Sequence, residues 1–481
     1  MDSHTSDVGV NTRIEAALDI MRAYLQFEEH RKEKQGEFRA AEIKKEGRNY
    51  FVVTSLGEKL SLRDKRVKIL FPSMGDLTMP LLAAGISSSG FNGISANVPT
   101  MEELRYGRAH SSCKECLPLQ LTVGTLIKYA KEKVPDEVMV YFMPENRQGP
   151  CRFGQYTVFM KNLIRKEKIA DTAVFTAYSD EGYPGFPILR AVMGIIAGDI
   201  LDDIRNALKV LAVDKKEALR IFDKEFEDLR LAFSNRGKSP LWQMKRLVKN
   251  LNEIPIKYPL SKAKIISMIG EIYVRRDSFS KQRLEDKLAD KGFVVRVAPI
   301  VEWLHYMVYH LKHDVLDLQF SLMKKTMLYP KAYGIFFAER MIKNIFKESK
   351  LYDAELVDVD DIIAHAEHLM SPKLGGEAIL TIGSGLKEVL HRACGVISVG
   401  PFSCMPSRLA EAILSEEMNV AGKEAASKKK VRIAGLSHLP FLAIETDGNK
   451  FPPIIESKLE AFCLQANRVH KKMIEHSANL F

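Results

Sequence analysis

Short apolar runs that alternate with helix-length stretches constrain this chain of 481 residues more than any other feature. Val67-Lys68-Ile69-Leu70-Phe71 reads as a buried strand, ended by Gly75 and followed by an apolar helix from Met79. Val138-Met139-Val140-Tyr141-Phe142 leads through a Pro/Gly loop to a helix from about Gln155, and Ala173-Val174-Phe175 is a third strand. A second unit opens at Ala263-Lys264-Ile265-Ile266-Ser267-Met268-Ile269, which Gly270 breaks. A helix over residues 281–288 and the strand Val294-Val295-Arg296-Val297 follow, with more helices over roughly 300–350. Strands return at Gly395-Val396-Ile397-Ser398-Val399 and at Phe441-Leu442-Ala443-Ile444. Strands that alternate with helices predict parallel, doubly wound sheets.

The length is too great for one ordinary core. The predicted fold is α/β: two doubly wound domains, flavodoxin- or Rossmann-like, with a helical connector and insertions. The first domain covers 67–200, the connector 201–257, where Leu, Ile and Val recur at helical spacing, and the second domain 258–481. Residues 1–66 form an N-terminal extension that packs on the main body or on a partner. It has an amphipathic helix over 12–34, marked by Ile14, Leu18, Met21 and Leu25, and then short strands such as Tyr50-Phe51-Val52-Val53. No internal repeat is visible, and no low-complexity segment beyond a short Lys run.

A hydrophobic fraction of 46% and a charged fraction of 27% are those of a soluble globular protein. No apolar run is long enough to span a membrane. Met1-Asp2-Ser3-His4 lacks the layout of a signal peptide. The expected compartment is therefore the reducing cytoplasm, where cysteines serve as core residues, metal ligands or catalytic thiols and not as structural disulfides. The formal charge of +10 suits an anionic ligand carrying phosphates. The densest basic cluster, Lys428-Lys429-Lys430-Val431-Arg432, has no interleaved aromatic residues and reads as a solvated loop, not a nucleic-acid surface.

There are six cysteines, and three share a setting. Cys116 lies in Lys114-Glu115-Cys116-Leu117-Pro118, before an apolar helix. Cys151 lies in Gly149-Pro150-Cys151-Arg152-Phe153-Gly154, and Cys404 in Gly400-Pro401-Phe402-Ser403-Cys404-Met405-Pro406-Ser407. The last two follow a predicted strand, and all three precede a helix. Ligands of open α/β sheets gather at the carboxyl ends of strands. Helix N-termini there offer free amides and positive potential, which favour a thiolate and a bound anionic iron–sulfur cluster. Gly and Pro beside each cysteine let backbone approach a large inorganic group. The competing reading of any one alone is a buried loop cysteine. Cys113 forms a Cys-x-x-Cys with Cys116, open to readings as a redox pair, half a zinc site or an extra ligand. Cys394, on a strand, and Cys463, inside a helix, read as core.

The rest of the chain lacks a phosphate-binding loop, and Gly383-Ser384-Gly385 lacks the remainder of a dinucleotide fingerprint. His391 reads as a surface residue or as a lining of the Cys394 pocket. The loop Glu445-Thr446-Asp447-Gly448-Asn449 reads either as a substrate contact or as an ordinary polar turn.

The segments KECLPLQLTVG, GPCRFGQY, GEIYVRRD, GEAILTIG, GPFSCMPSR and PFLAIETDGNKFPPIIE occur in that order. They resemble the 2-hydroxyacyl-CoA dehydratase family, and more closely the dehydratase-like portion of large CoA-enzyme activase proteins, from about Val67 to the C-terminus. The resemblance implies two α/β domains and a [4Fe-4S] cluster on Cys116, Cys151 and Cys404 with one iron open; Cys113 has no required place in that pattern. It implies a separate ATPase activator, with its own cluster, that injects a low-potential electron. In the family the electron reaches a 2-hydroxyacyl-CoA thioester, whose ketyl radical expels the hydroxyl group. Arg152 is the candidate for contact with the anionic CoA, its alternative being a loop-fixing salt bridge. Relatives with a double-cubane cluster reduce small molecules, and a cluster-bearing relay or scaffold subunit is a further reading. A paralogous subunit or a second copy is an expected partner; nucleic acid and membrane are not. The large activase proteins begin with their ATPase, and the first 66 residues here are too short to be one.

Overall fold

A computed structural model of the chain describes residues 14, 18, 21–22, 38–47, 49–112, 115–145, 151–178, 188–313, 322–433 and 435–478. Most of the helix expected over 12–34 lies outside those residues, as do Cys113, Gly149 and Pro150. The extension contributes β1 (Glu42–Glu46), β2 (Asn49–Val53) and β3 (Lys59–Ser61), an antiparallel sheet. Its Val52 and Leu60 share a core with Ile69, Phe71 and Val140, so the extension packs on the first domain.

Two parallel sheets form the body. β4 (Val67–Phe71), β5 (Gly93–Ser95), β6 (Val138–Glu145) and β7 (Thr172–Tyr178) lie in the order β5-β4-β6-β7. β8 (Lys264–Gly270), β9 (Phe293–Val297), β10 (Gly395–Pro401) and β11 (Phe441–Thr446) lie in the order β11-β10-β8-β9. Helices cover both faces, so every residue of β10 is buried, which explains the uninterrupted apolar run. Counted along the chain, each sheet runs second, first, third, fourth. That is the flavodoxin-like order less its last strand, and it reverses direction between the first and third strands. The two domains thus repeat a topology that their sequences do not repeat.

The connector is three helices, Ile188–Leu211, Lys215–Ser234 and Pro240–Asn252. Asp214 and Ser239 cap the second and third, and Pro240 opens the third where a missing N–H costs nothing. The domain border expected at residue 200 falls inside the first helix. That helix is part of a core that also takes in Leu77 and Leu81 of the first domain and Ile265 and Val294 of the second, so the domains share one hydrophobic seam. Among the described residues no helix is long and apolar enough to cross a membrane.

A short segment after β8 locks the seam. Gly270 has φ of +109°, and a Cβ there would stand 2.1 Å from the Val399 carbonyl oxygen, so this turn requires glycine. The helix Ile272–Arg276 follows, and Arg276 Nη2 reaches back to Asp199 Oδ1 at 2.7 Å and Thr78 Oγ1 at 3.4 Å. The Ser278 hydroxyl bonds both oxygens of Asp76 at 2.9 Å. Gln282 and Arg283 then take left-handed backbone conformations, so the helix expected from Lys281 starts at Leu284.

Two measurements check this seam. Arg276→Met strands the buried Asp199 carboxylate without its partner, and is expected to cost about 3–5 kcal/mol of unfolding free energy in urea. A loss near zero contradicts the role. Burial pushes the Asp277 carboxyl up to about 7, against hydrogen bonds from the Ser280 amide and hydroxyl that lower it. The fold therefore keeps a proton that the unfolded chain releases near about 3.9. This group favours the fold below that pH, and the contribution is lost as pH rises to 7. Asp277→Asn should flatten the decline of stability between pH 4 and 7; an unchanged slope contradicts the assignment.

Candidate functional site

The three cysteines of the sequence reading each stand at the start of a helix. Cys116 is the N-cap of Leu117–Glu132, with Pro118 in the first turn. Cys404 is the N-cap of Met405–Glu417, with Pro406 in the first turn. Cys151 caps the 3-10 turn Arg152–Gln155, which runs into the helix Tyr156–Lys166, and its sulfur accepts a hydrogen bond from the Phe153 amide at 3.5 Å. Cys151 follows β6 and Cys404 follows β10, the third strands of their sheets, beside the two switch points where such folds open a ligand crevice. Cys116 comes from the long β5–β6 connection.

Glu271, in the segment GEIYVRRD, ties them together electrostatically. Glu271 follows β8, on the other side of the second switch point from Cys404, and caps the helix Ile272–Arg276. Its carboxylate accepts from the amides of Tyr273 at 3.2 Å and Val274 at 2.9 Å. Cys151 is exposed and Cys116 and Cys404 are half-buried, and desolvation by the protein around them is the larger cause that pushes the Cys151 thiol to about 11, the Cys404 thiol to about 12 and the Cys116 thiol above its ordinary range. The Glu271 charge raises all three further, so one carboxylate bears on every thiol of the set. Cys116 also raises Cys151. The Tyr156 hydroxyl lies 2.6 Å from Cys116 Sγ and favours its thiolate.

Behind Glu271 lies a second buried carboxyl, Glu377, whose charge raises Cys151 and Cys404. Its Oε1 accepts from Arg275 Nη1 and from Trp303 Nε1, both at 3.2 Å. Arg275 also donates to the carbonyls of Gly270 at 2.7 Å and Ala298 at 3.1 Å, the ends of β8 and β9. Glu271 and Glu377 carried a visible signal, a glutamate directly after glycine. Tyr156 carried none, because its contact joins residues 40 apart in sequence.

The other candidates fall elsewhere. Arg152 is exposed in the turn after Cys151. Cys394 and Cys463 are buried together in the core of the second sheet, and the Cys394 thiol donates to the Ile265 carbonyl at 3.2 Å. His391 is on the surface beside Glu355. Gly383 sits inside the helix Ala378–Glu388, where a Cβ would stand 2.0 Å from the Ile362 carbonyl oxygen; the glycine serves helix packing and not a phosphate. The Glu445–Asn449 loop joins the domains through Arg108, whose Nη2 donates to the Asp447 carbonyl at 2.7 Å; within the second domain Gln282 Nε2 donates to the Asn449 carbonyl.

Among the described residues, no three His, Cys, Asp or Glu side chains close on one point that a single metal ion would occupy. An iron–sulfur cube takes each ligand sulfur on its own iron corner, so its ligands surround a space instead of meeting at a point. Three sulfur donors on helix N-termini, with a hydroxyl on one sulfur, are a donor set that suits such a group. No protein-family model, no curated protein and no solved structure matches the chain.

Tyr156→Phe removes the hydroxyl that is the side-chain hydrogen-bond partner of Cys116 among the described residues. A hydrogen bond to a charged partner contributes about 1.5 kcal/mol or more, so the thiolate fraction should drop about tenfold. Iodoacetamide labelling of Cys116 in iron-free protein, read by peptide mass, is expected to slow accordingly. An unchanged rate contradicts the contact.

Proposed function

We propose that this chain is an iron–sulfur protein of the 2-hydroxyacyl-CoA dehydratase type, in which Cys116, Cys151 and Cys404 hold a [4Fe-4S] cluster. The single observation that carries the reading is that these three thiols, from both domains, stand at helix N-termini and share one half-buried carboxylate, Glu271. The ordered motifs that resemble the family support it from the sequence. When bound, the cluster supplies a low-potential electron and a Lewis-acidic iron.

The chain's own residues do the rest. The helix N-termini behind each cysteine present amides and positive potential to an anionic group. Tyr156 holds the Cys116 sulfur in place through its hydroxyl. Glu271 is fixed by two backbone amides, and desolvation raises its carboxyl above the ordinary range against their pull. Arg152, exposed at the rim beside Cys151, meets the phosphates of CoA, in line with the net charge of +10. The electron comes from a separate ATPase activator, because the sequence has no phosphate-binding loop of its own. Such chemistry belongs in a reducing cytoplasm.

Cys394 and Cys463 sit in the core, which favours one three-cysteine cluster over a double cubane that would need all six cysteines. Anaerobically purified protein is expected to be brown and to contain iron and sulfide. Ser in place of Cys116, Cys151 or Cys404 should remove most of the iron, whereas Cys394→Ala and Cys463→Ala should retain it. A colourless or zinc-loaded protein contradicts the cluster. With iron present, the activity is tested with reduced activator, ATP and 2-hydroxyacyl-CoA thioesters, looking for the 2-enoyl product. Reduction of small molecules without that product would instead place the chain among the reductases.

A further inference from the structure

A cavity of about 110 Å³ lies on the connector face of the second sheet, about the size that holds one small organic molecule. Ser267 on β8 and Arg296 on β9 are register partners, so their side chains leave the sheet on one face, and both line the cavity. The helix Ile188–Leu211 brings Asp203 to the same space, and the irregular segment 352–358 brings Tyr352. Most charges along the wall are matched. Lys343 Nζ meets Glu339 Oε1 at 2.7 Å, and Lys387 Nζ meets Asp361 Oδ2 at 2.7 Å. Arg392 holds Glu388 at 2.6 Å and Glu355 at 2.7 Å. Glu302 is paired with Arg275, and Asp199 with Arg276. Asp358 caps the helix Val359–Ala364. Arg296 and Asp203 are what remains.

The Arg296 side chain is 11% exposed, and among the described residues its one ion pair is with the exposed Asp353, at 3.6 Å. Its guanidinium N–H groups make no hydrogen bond among those residues. The Asp203 carboxyl accepts one, from the Val297 amide at 3.3 Å. Burial pushes that carboxyl up to about 7, and Arg296 is the largest of the charges that pull against it. The two groups thus sense each other from the walls of one cavity, yet they form no ion pair. The hydroxyls of Ser267 and Tyr352 line the same space and make no hydrogen bond among the described residues. After burial, the Asp203 charge is the next cause that raises Tyr352. A guanidinium, a carboxyl and two hydroxyls, all short of partners around one space, call for a polar occupant that satisfies them.

We propose that this cavity binds a short carboxylate with a hydrogen-bond donor on the neighbouring carbon, a 2-amino or 2-hydroxy acid of about three carbons, whose carboxylate meets Arg296 and whose donor meets Asp203. A guanidinium presents paired N–H groups that match a carboxylate. Asp203 has an oxygen left to accept from an ammonium or a hydroxyl, and Ser267 and Tyr352 add hydroxyls that donate or accept. Ile196, Ile200 and Val301 form an apolar part of the lining, which suits a methyl group. A ligand with only the acid, or only the donor, leaves one of the two charged groups unmatched and loses affinity. Waters alone would satisfy the same groups without selecting between such ligands. The proposal is independent of the iron–sulfur reading.

Isothermal titration calorimetry of the full-length protein at pH 8, where Asp203 is ionised, tests this with alanine and lactate as probes. Saturable binding of at least one is expected. Tighter alanine assigns the amino acid, and tighter lactate the hydroxy acid. Propionate, which lacks the donor, and ethylamine, which lacks the carboxylate, are expected to bind about tenfold more weakly or worse. Asp203→Asn keeps an acceptor for the Val297 amide and should weaken the preferred probe by about tenfold. Arg296→Met should abolish binding of both probes, with circular dichroism to establish that each variant is folded. The comparison with propionate needs no variant. No saturable binding of alanine or lactate leaves the cavity to water and overturns the proposal. Propionate bound as tightly as the preferred probe, or affinities unchanged in both folded variants, overturns it too.

Discussion

Two consecutive buried arginines, Arg275 and Arg276, are the point on which the rest of the molecule depends. Arg275 gathers the ends of β8 and β9 through their carbonyls, and with them Glu302 and Glu377. Arg276 points the other way, to Asp199 on the connector and Thr78 in the first domain. Between them and Gly270 lies Glu271, the carboxylate that all three loop cysteines feel. A few residues therefore fix the domain seam and the electrostatics of the candidate site together. Buried charges of this kind cost desolvation energy, and their retention here has a positional use.

The sheets account for where the site lies. Each domain reverses its strand order between the first and third strands, the position at which such folds open a ligand crevice. Cys151 and Cys404 follow the third strands, and Glu271 follows the first strand of the second sheet. Tyr273, two residues past Glu271, packs with Leu104, Leu117 and Leu121, so the helix that begins at Cys116 is held against the same segment. Topology thus puts three cysteines from distant parts of the chain within electrostatic reach of Glu271.

Much of the fold could be read from the sequence. The strand runs of both sheets stand out because parallel sheets are buried on both faces. The start of the helix at Leu284 did not, since Lys281, Gln282 and Arg283 look helical and only tertiary contacts impose the left-handed turn at Gln282 and Arg283. The repeat of topology also stayed hidden, because strand order is a long-range property. The cysteine loops were legible through their Gly and Pro neighbours. The partners of Tyr156 and Arg275 were not, because they lie 40 and 102 residues away. The Glu445–Asn449 loop looked like a possible substrate contact and is a strap between domains, a distinction that only the contact with Arg108 reveals.

The central claim is that Cys116, Cys151 and Cys404 enclose one iron–sulfur cluster over Glu271. The most direct measurement is anomalous X-ray scattering at the iron edge from crystals of the protein grown without oxygen. One compact group of iron peaks bounded by the three cysteine sulfurs is expected. Iron peaks elsewhere in the molecule, or none within reach of those sulfurs in well-ordered crystals, would contradict it.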